Sequence, residues 1–259
     1  MADKIKKTTR NVSAAKALAR DAAPRTTSIY QVRFYSGDYL ERQQKANADG
    51  AKLYYEQHFN SSSSRDASYS CVVVGSNASN TSKNWGRWYA QAIAREFGNT
   101  VGGSDGILVG GFGGRGDGNV KHTNMPAILA EPLFASNPRH AEIIKGDDGQ
   151  TRLARILVES IQRFLPQGGL VAFSIGHKGK RSAPNDMGAP VFGGGTEAQF
   201  AEIVLQKAQV MLDQIRVEET ARVLRVMRGT QELWRVVLDE DEILRLDSER
   251  NLVQILINE

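Results

Sequence analysis

The chain of 259 residues has little of several features that mark whole classes of protein. A single cysteine, Cys71, excludes an internal disulfide and a cysteine-based zinc cluster. No apolar run approaches the roughly 18 residues of a membrane-spanning helix, and the first thirty residues lack the apolar core of a secretory signal. If this is the complete natural chain, we expect synthesis in the cytoplasm, no membrane insertion, and export by another route.

What is present is an ordinary globular composition with a mild excess of positive charge. The formal net charge of +4 favours contact with anionic polymers, such as nucleic acid or bacterial cell wall. Lysine and arginine are scattered, however, and no arginine-rich or RNP-like motif occurs, so we expect no nucleic-acid partner. Nothing in the sequence sets the oligomeric state.

Predicted strands and helices alternate along most of the chain. Apolar, β-branched or aromatic runs predict five strands, and three segments have apolar residues at helical spacing. The strands are predicted at 28–35, 51–59, 68–74, 126–131 and 169–177, and the helices at 83–97, 150–165 and 197–212. This alternation predicts an α/β fold whose mixed, mostly parallel central sheet is flanked by helices.

Three regions of the chain differ in composition and in predicted secondary structure. Residues 1–27 form a basic N-terminal segment, and residues 28–215 hold the alternating strands and helices. From Arg216 a charged helix is predicted, followed by short strand-like runs, so residues 216–259 are interpreted as a small β-rich extension. The glycine-rich stretch 101–119 lacks the GK[ST] ending of a phosphate-binding loop and predicts a loop near a site.

Chemically competent side chains fall at predicted strand ends. His58 and His177 each end a strand, and Glu131 ends a third, where Pro132 favours an extended backbone. In an open α/β sheet, ligands bind beyond the carboxyl ends of the strands. Glu197 is predicted as the first residue of a helix, after an N-cap at Thr196 whose capping-box partner is Gln199.

Taken singly, each of these residues has a simpler explanation. A lone strand-end histidine is more often satisfied locally, Glu131 could be solvated, and Glu197 suits the positive end of a helix dipole. Taken together, two histidines and a glutamate match a catalytic zinc site, and a second glutamate could deprotonate the attacking water. Of the remaining histidines, His122 is predicted in a loop and His140 on a helix surface.

Several motifs resemble zinc-dependent N-acetylmuramoyl-L-alanine amidases of the Amidase_3 type. "MPAILAEPLFASNP" is similar to the family's P-x-x-L-x-E-x-x-F-x-S-N-P segment, and "LERQQKAN" to its L-x-x-R-x-x-x-A-N helix. The strand ending "HFN" resembles its H-x-N strand. "GHKGKRSAPNDMGA", followed by "GGGTEAQF", resembles its G-H-x-G strand, its D-x-G-A turn and the glutamate that begins its long helix.

The order of these motifs departs from the family, in which the G-H-x-G strand and its glutamate helix come first. Here they come last, so the resemblance is to a circularly permuted amidase. The chain is cut between the family's first helix and second strand, and the usual ends are joined around residues 164–169. Such a rearrangement is feasible because chain termini often lie close together at the surface.

The resemblance implies a role for each matched residue. His177, Glu197 and His58 correspond to the Zn²⁺ ligands, and Glu131 corresponds to the catalytic glutamate. The implied reaction hydrolyses the amide bond between N-acetylmuramic acid and L-alanine in peptidoglycan. A lytic, endolysin-like enzyme acting on the cell wall is therefore expected, with peptidoglycan as its partner. Two alternatives stay open: a zinc carboxypeptidase on wall stem peptides, and a non-catalytic wall-binding protein on an amidase scaffold.

Overall fold

The computed structural model describes residues 26–218, 222–228, 231–238, 242–247 and 252–257. Residues Ser28–Ile215 form one compact unit, and the described part of Arg216–Glu259 belongs to a second. The predicted basic segment 1–27 lies outside the described residues except for its last two. The functional division of the chain into three regions stays a prediction.

Seven of the described strands form one sheet within the first unit. They are β2 (Tyr30–Phe34), β3 (Leu53–Gln57), β4 (Tyr69–Val74), β5 (Thr100–Val101), β6 (Ile107–Val109), β9 (Ala127–Glu131) and β10 (Gly169–Ile175). Their order is β2–β10–β3–β9–β4–β5, and β6 pairs with β4. Each pairing is parallel except that between β4 and β9. The predicted mixed, mostly parallel sheet is thus confirmed.

Helices cover both faces of this sheet. They are α1 (Tyr39–Ala48), α2 (Asn80–Phe97), α3 (Pro138–Lys145), α4 (Asp147–Phe164) and α5 (Glu197–Asp213). Alternate strand residues point to opposite faces. Tyr55 and Phe173 therefore join a core with the apolar sides of α2, α4 and α5, whereas their neighbours Tyr54 and Ala172 pack in a second core with Ala46 of α1.

The strand that is last in sequence is not at the edge of the sheet. β10 lies between β2 and β3 and runs parallel to both, with Val171 opposite Val32 on one side and Leu53 on the other. Its central segment is fully buried. The sheet of this unit therefore requires a strand that the chain supplies more than a hundred residues after the two strands that flank it.

The glycine-rich stretch folds back on itself beside the sheet. A short antiparallel pair, β7 (Gly111–Phe112) and β8 (Arg115–Gly116), is followed by a 3-10 turn at Asp117–Asn119. The stretch thereby supplies a wall of the pocket described below, as predicted for a loop near a site.

The described part of the C-terminal region consists of strands. β11 (Arg216–Glu218) pairs with β1 (Thr26–Ser28), β12 (Arg222–Arg228) with β13 (Gln231–Leu238), and β14 (Glu242–Asp247) with β15 (Leu252–Ile257). The last two pairs are antiparallel. The predicted helix after Arg216 is wrong, since Arg216–Glu218 and Arg222–Arg228 are strands, and the β-branched valines at 217, 223 and 226 favour that conformation.

Among the described residues, no helix combines the length and the apolar character that crossing a membrane requires.

Candidate metal centre

Three neighbouring parallel strands end at the same edge of the sheet. His58 directly follows β3, Glu131 is the last residue of β9, and His177 comes two residues after β10. The ladder continues past the strands, since the backbone N–H of His58 donates to Ala130 O at 3.0 Å and that of Gly176 donates to Gln57 O at 2.9 Å. The predicted strand-end residues are therefore brought to one edge by parallel pairing in register.

Two imidazoles and one carboxylate converge there. One atom from each of His58, His177 and Glu197 lies within 4.8 Å of the other two. Nδ1 of His58 is 2.7 Å from Glu197 Oε1, and Nε2 of His177 is 3.3 Å from Glu197 Oε2. Glu197 reaches the two rings from the first turn of α5 and is itself buried.

These three donors fit a zinc ion. Catalytic zinc takes three protein ligands, often two His and one Glu, at about 2.0–2.2 Å, which separates neighbouring ligand atoms by about 3.3 Å. The observed spacings of 2.7 Å and 3.3 Å are close to that value. The carboxylate of Glu197 also supplies negative charge, which favours a divalent cation. His58, His177 and Glu197 are thus the residues that could hold the metal.

Two glycines allow this close approach. A Cβ atom on Gly176 would lie 2.5–2.6 Å from atoms of the His58 ring. A Cβ atom on Gly188 would lie 2.5 Å from Glu197 Oε2 and 2.7 Å from the His177 ring, and Gly188 also has a φ of +75°. Any side chain at either position would push the three donors apart.

His177 is held by strained backbone and by a carboxylate. Its φ of 66° is unusual for a non-glycine residue and costs on the order of 1–3 kcal/mol. Its Nδ1 donates to Asp186 at 2.9 Å, and Asp186 also accepts from Lys180 Nζ at 2.8 Å. Although burial acts to raise the pKa of Asp186, these two bonds and that from the Gly188 amide lower it. Asp186 therefore stays ionised behind the ring.

His58 is held by a buried charge pair. Its Nε2 donates to Glu56 Oε1 at 2.9 Å, and that carboxylate also accepts from Arg42 Nη2 at 3.0 Å. Glu56 and Arg42 have no exposed surface. Burial acts to raise the pKa of Glu56, but Arg42, His58 and Asn119 outweigh it and lower the pKa to about 2. Sequence reasoning missed this role, although a charged residue inside a buried strand was a visible signal.

Both nitrogens of His58 face carboxylates, and this affects metal binding. Burial disfavours the charged ring, but the hydrogen bonds to Glu197 and Glu56 outweigh it and raise the pKa of His58. A metal ion that binds Nδ1 competes with a proton there, so its affinity should increase with pH.

Glu131 lies beside these donors without being one of them. It lines the same pocket, and among the described residues its buried Oε2 has no hydrogen-bond partner. Burial raises the pKa of Glu131 to about 8, and the negative charge of Glu197 adds to this, while the two histidines act against it. Such a carboxyl group is suited to taking up and releasing a proton near neutral pH.

The pocket in front of these residues has a volume of about 600 Å³. Its walls come from the strand ends, from the start of α1 at Tyr39 and from the β7–β8 hairpin with the adjoining 3-10 turn. Arg115 on the hairpin brings positive charge, which lowers the pKa of Glu131. The pocket is thus open to solvent and lined by both polar and apolar side chains.

Two local predictions are wrong. Thr196 is the N-cap of α5, as predicted, but its side chain makes no capping hydrogen bond, so the predicted capping box with Gln199 does not form. The preceding loop caps the helix instead, since the amides of Glu197 and Ala198 donate to Ala189 O and Met187 O. His140 is not on a helix surface: it is buried, and its Nδ1 accepts from the amide of Phe134. His122 lies in a loop, as predicted.

Residues 1–163 match the sequence profile of a family described as N-acetylmuramoyl-L-alanine amidase (Amidase_3). This span is more than half of the 259 residues. The chain belongs to that family. His58 and Glu131 lie inside the matched span of this family member, whereas His177 and Glu197 follow it. No curated protein matches the sequence of this amidase-family chain.

Solved structures of bacterial amidases are similar over half of this chain. The catalytic domain of CwlV from Bacillus (Paenibacillus) polymyxa var. colistinus is 24% identical, with a TM-score of 0.42, covering 50% of this chain and 66% of that one. An amidase from Clostridium difficile 630 is 22% identical, with a TM-score of 0.42, and the match covers 50% of this chain and 66% of that one. Ami1 from Mycobacterium smegmatis is 20% identical, with a TM-score of 0.43, and the match covers 49% of this chain and 60% of that one. The match spans less than two thirds of each of these structures.

Proposed function

We propose that this chain is a zinc-dependent N-acetylmuramoyl-L-alanine amidase acting on the cell wall in an endolysin-like, lytic role. It would hydrolyse the amide between the lactyl group of N-acetylmuramic acid and L-alanine in peptidoglycan. One observation carries this proposal: His58, His177 and Glu197 present donor atoms within 4.8 Å of one another, beside a Glu131 carboxyl oxygen that has no hydrogen-bond partner in the described part of the chain. Membership of the amidase family supplies the substrate class.

The residues have separate tasks in this reaction. His58, His177 and Glu197 would hold Zn²⁺, which supplies Lewis acidity toward the scissile carbonyl and toward water. Glu131 takes a proton from the attacking water as the new C–O bond forms. It then delivers that proton to the leaving nitrogen as the C–N bond breaks, leaving a lactyl carboxylate and a free L-alanine amine. The raised pKa of Glu131 supports both transfers.

The circular permutation forms part of this proposal. It is supported by the position of β10, which directly precedes the G-H-x-G motif and lies between β2 and β3 inside the sheet, although it comes late in the chain. The family's usual ends would be joined in the surface turn between α4 and β10, residues 165–168.

Digestion of purified sacculi tests the function directly. We expect mass spectrometry to find free stem peptides that begin with an L-alanine amine. We also expect the purified chain to contain about one zinc ion. Glu131→Gln should retain that zinc and lose turnover by roughly 10²–10⁴-fold, the range that general acid–base groups contribute.

The other outcomes distinguish the alternatives. Shortened peptides still attached to sugar would identify a carboxypeptidase. Unchanged sacculi that nonetheless sediment with the protein would identify a non-catalytic wall-binding protein. Full activity of Glu131→Gln would remove Glu131 from the reaction even if the products were those of an amidase.

A further inference from the structure

The buried carboxylate of Glu56 has no place in the reaction above, yet it contacts a proposed metal ligand. It lies two residues before His58 on β3 and has no exposed surface. We propose that Glu56 is a positioning residue: it accepts a hydrogen bond from the Nε2–H group of His58 and so leaves Nδ1 of that ring to face the metal. This inference rests on the zinc site of the proposed function.

The orientation of the His58 ring supports this role. A neutral imidazole carries one proton, and the nitrogen without it binds the metal. Nε2 of His58 lies 2.9 Å from Glu56 Oε1, while Nδ1 points toward Glu197. Acidic partners of metal-bound histidines fix the tautomer and make the ring a stronger ligand. Glu56 would therefore decide which nitrogen is free.

The surroundings of Glu56 keep it charged and immobile. Its Oε1 accepts from Arg42 Nη2 at 3.0 Å and from Asn119 Nδ2 at 2.5 Å, and its Oε2 accepts from Tyr54 Oη at 3.2 Å. Arg42 is in turn fixed by a bond of 2.9 Å to Ser174 Oγ on β10. Three donors, from α1, the 3-10 turn and β3 itself, thus hold the carboxylate in one position against the histidine.

Stability alone gives a weak reason for this arrangement. Removing two charges from water is costly, and replacing a buried ion pair by well-packed apolar residues is often neutral or stabilising. The other four residues of this strand, Leu53, Tyr54, Tyr55 and Gln57, are uncharged and buried. A carboxylate there is better explained by the imidazole that it contacts than by a contribution to folding.

Zinc affinity is the appropriate measurement, because it does not depend on turnover. A chromophoric chelator competes with wild-type protein, with Glu56→Gln and with the control Tyr55→Phe, which removes buried hydrogen bonds on the same strand but none to Glu56 or His58. We expect Glu56→Gln to bind zinc about 10–100-fold more weakly, the range seen when such partners of metal ligands are lost. Tyr55→Phe should bind as wild type does. The Co²⁺ absorption spectrum should change in Glu56→Gln alone.

A second variant guards against misfolding. Glu56→Gln leaves Arg42 as an unpaired buried charge, so the double variant Arg42→Met/Glu56→Gln removes both charges, and circular dichroism reports its fold. It too should bind zinc weakly. Wild-type zinc affinity and a wild-type Co²⁺ spectrum in a folded Glu56 variant would overturn this inference and leave the amidase proposal intact. Failure of wild-type protein to bind zinc would overturn both.

Discussion

The two histidines of the site are held in opposite ways. His58 follows a central strand, and the carboxylate behind it is fully buried and paired with buried Arg42. His177 follows a neighbouring strand, but its carboxylate, Asp186, is 29% exposed and paired with Lys180. The first histidine is embedded at the end of a central strand, and the second is carried on a loop whose backbone is strained at the histidine itself.

This difference indicates that one side of the site is rigid and the other is accessible to solvent. A charge pair buried in the sheet fixes one imidazole without help from the substrate side. The loop of residues 176–189 forms the open side of the site, where Lys180 and Ala189 line the pocket. The His58 side is therefore expected to govern stability as well as metal binding, and the His177 side to govern metal binding with a smaller effect on stability.

Removal of each imidazole should give the largest effects and would test this division. Both His58→Ala and His177→Ala should lose bound zinc. In the metal-free state His58→Ala should also lose about 3–5 kcal/mol of unfolding free energy, because Glu56 and Glu197 lose a buried partner. His177→Ala should lose about 1–3 kcal/mol. Metal analysis and urea unfolding measure the two quantities.

The exposed His122 offers the matched control, since His122→Ala should change neither zinc content nor stability. Equal destabilisation by His58→Ala and His177→Ala would contradict the division.

The pH dependence of stability tests whether burial raises the pKa of Glu131. Its folded pKa of about 8 lies above the unfolded value of roughly 4.3, so between these values the folded state keeps a proton that the unfolded state has lost. Wild-type stability should then fall with rising pH across this window, by up to about 1.4 kcal/mol per pH unit, relative to Glu131→Gln. Urea unfolding of both metal-free proteins from about pH 5 to 8 measures this difference. Parallel curves would show that burial does not raise this pKa.

Asp186→Asn should have the smallest effect and sharpens the contrast with Glu56→Gln. Because Asp186 is partly exposed, water can replace part of its contact with His177, and zinc affinity should fall by about 10-fold or less. Salt screens exposed charges much more than buried ones. Wild-type zinc affinity should therefore approach that of Asp186→Asn at high ionic strength, while its ratio to Glu56→Gln should stay constant. A salt-dependent ratio for Glu56→Gln would contradict the contrast.

Particular elements show how far sequence reasoning reaches. The alternation of apolar runs predicts the α/β fold, and the resemblance of several motifs implies the amidase family; both are confirmed. Predictions that rest on a local pattern alone fail where a distant segment intervenes. The cap of α5 is the clearest case, because the loop carbonyls of Met187 and Ala189, and not the Thr196 side chain, accept from the first amides of the helix. His140 is likewise buried by the turn after β9.

The sequence by itself determined which residues could serve a metal and an acid–base role, because residue type and position at strand ends are local properties. It also carried the glycines at 176 and 188, whose necessity is invisible until the histidine and glutamate side chains are seen beside them. Only the tertiary structure decided that β10 enters between β2 and β3, and that Glu56 and Arg42 meet behind His58. Both depend on contacts between distant segments, and the free energy of burying a strand or a charge is fixed by what surrounds it.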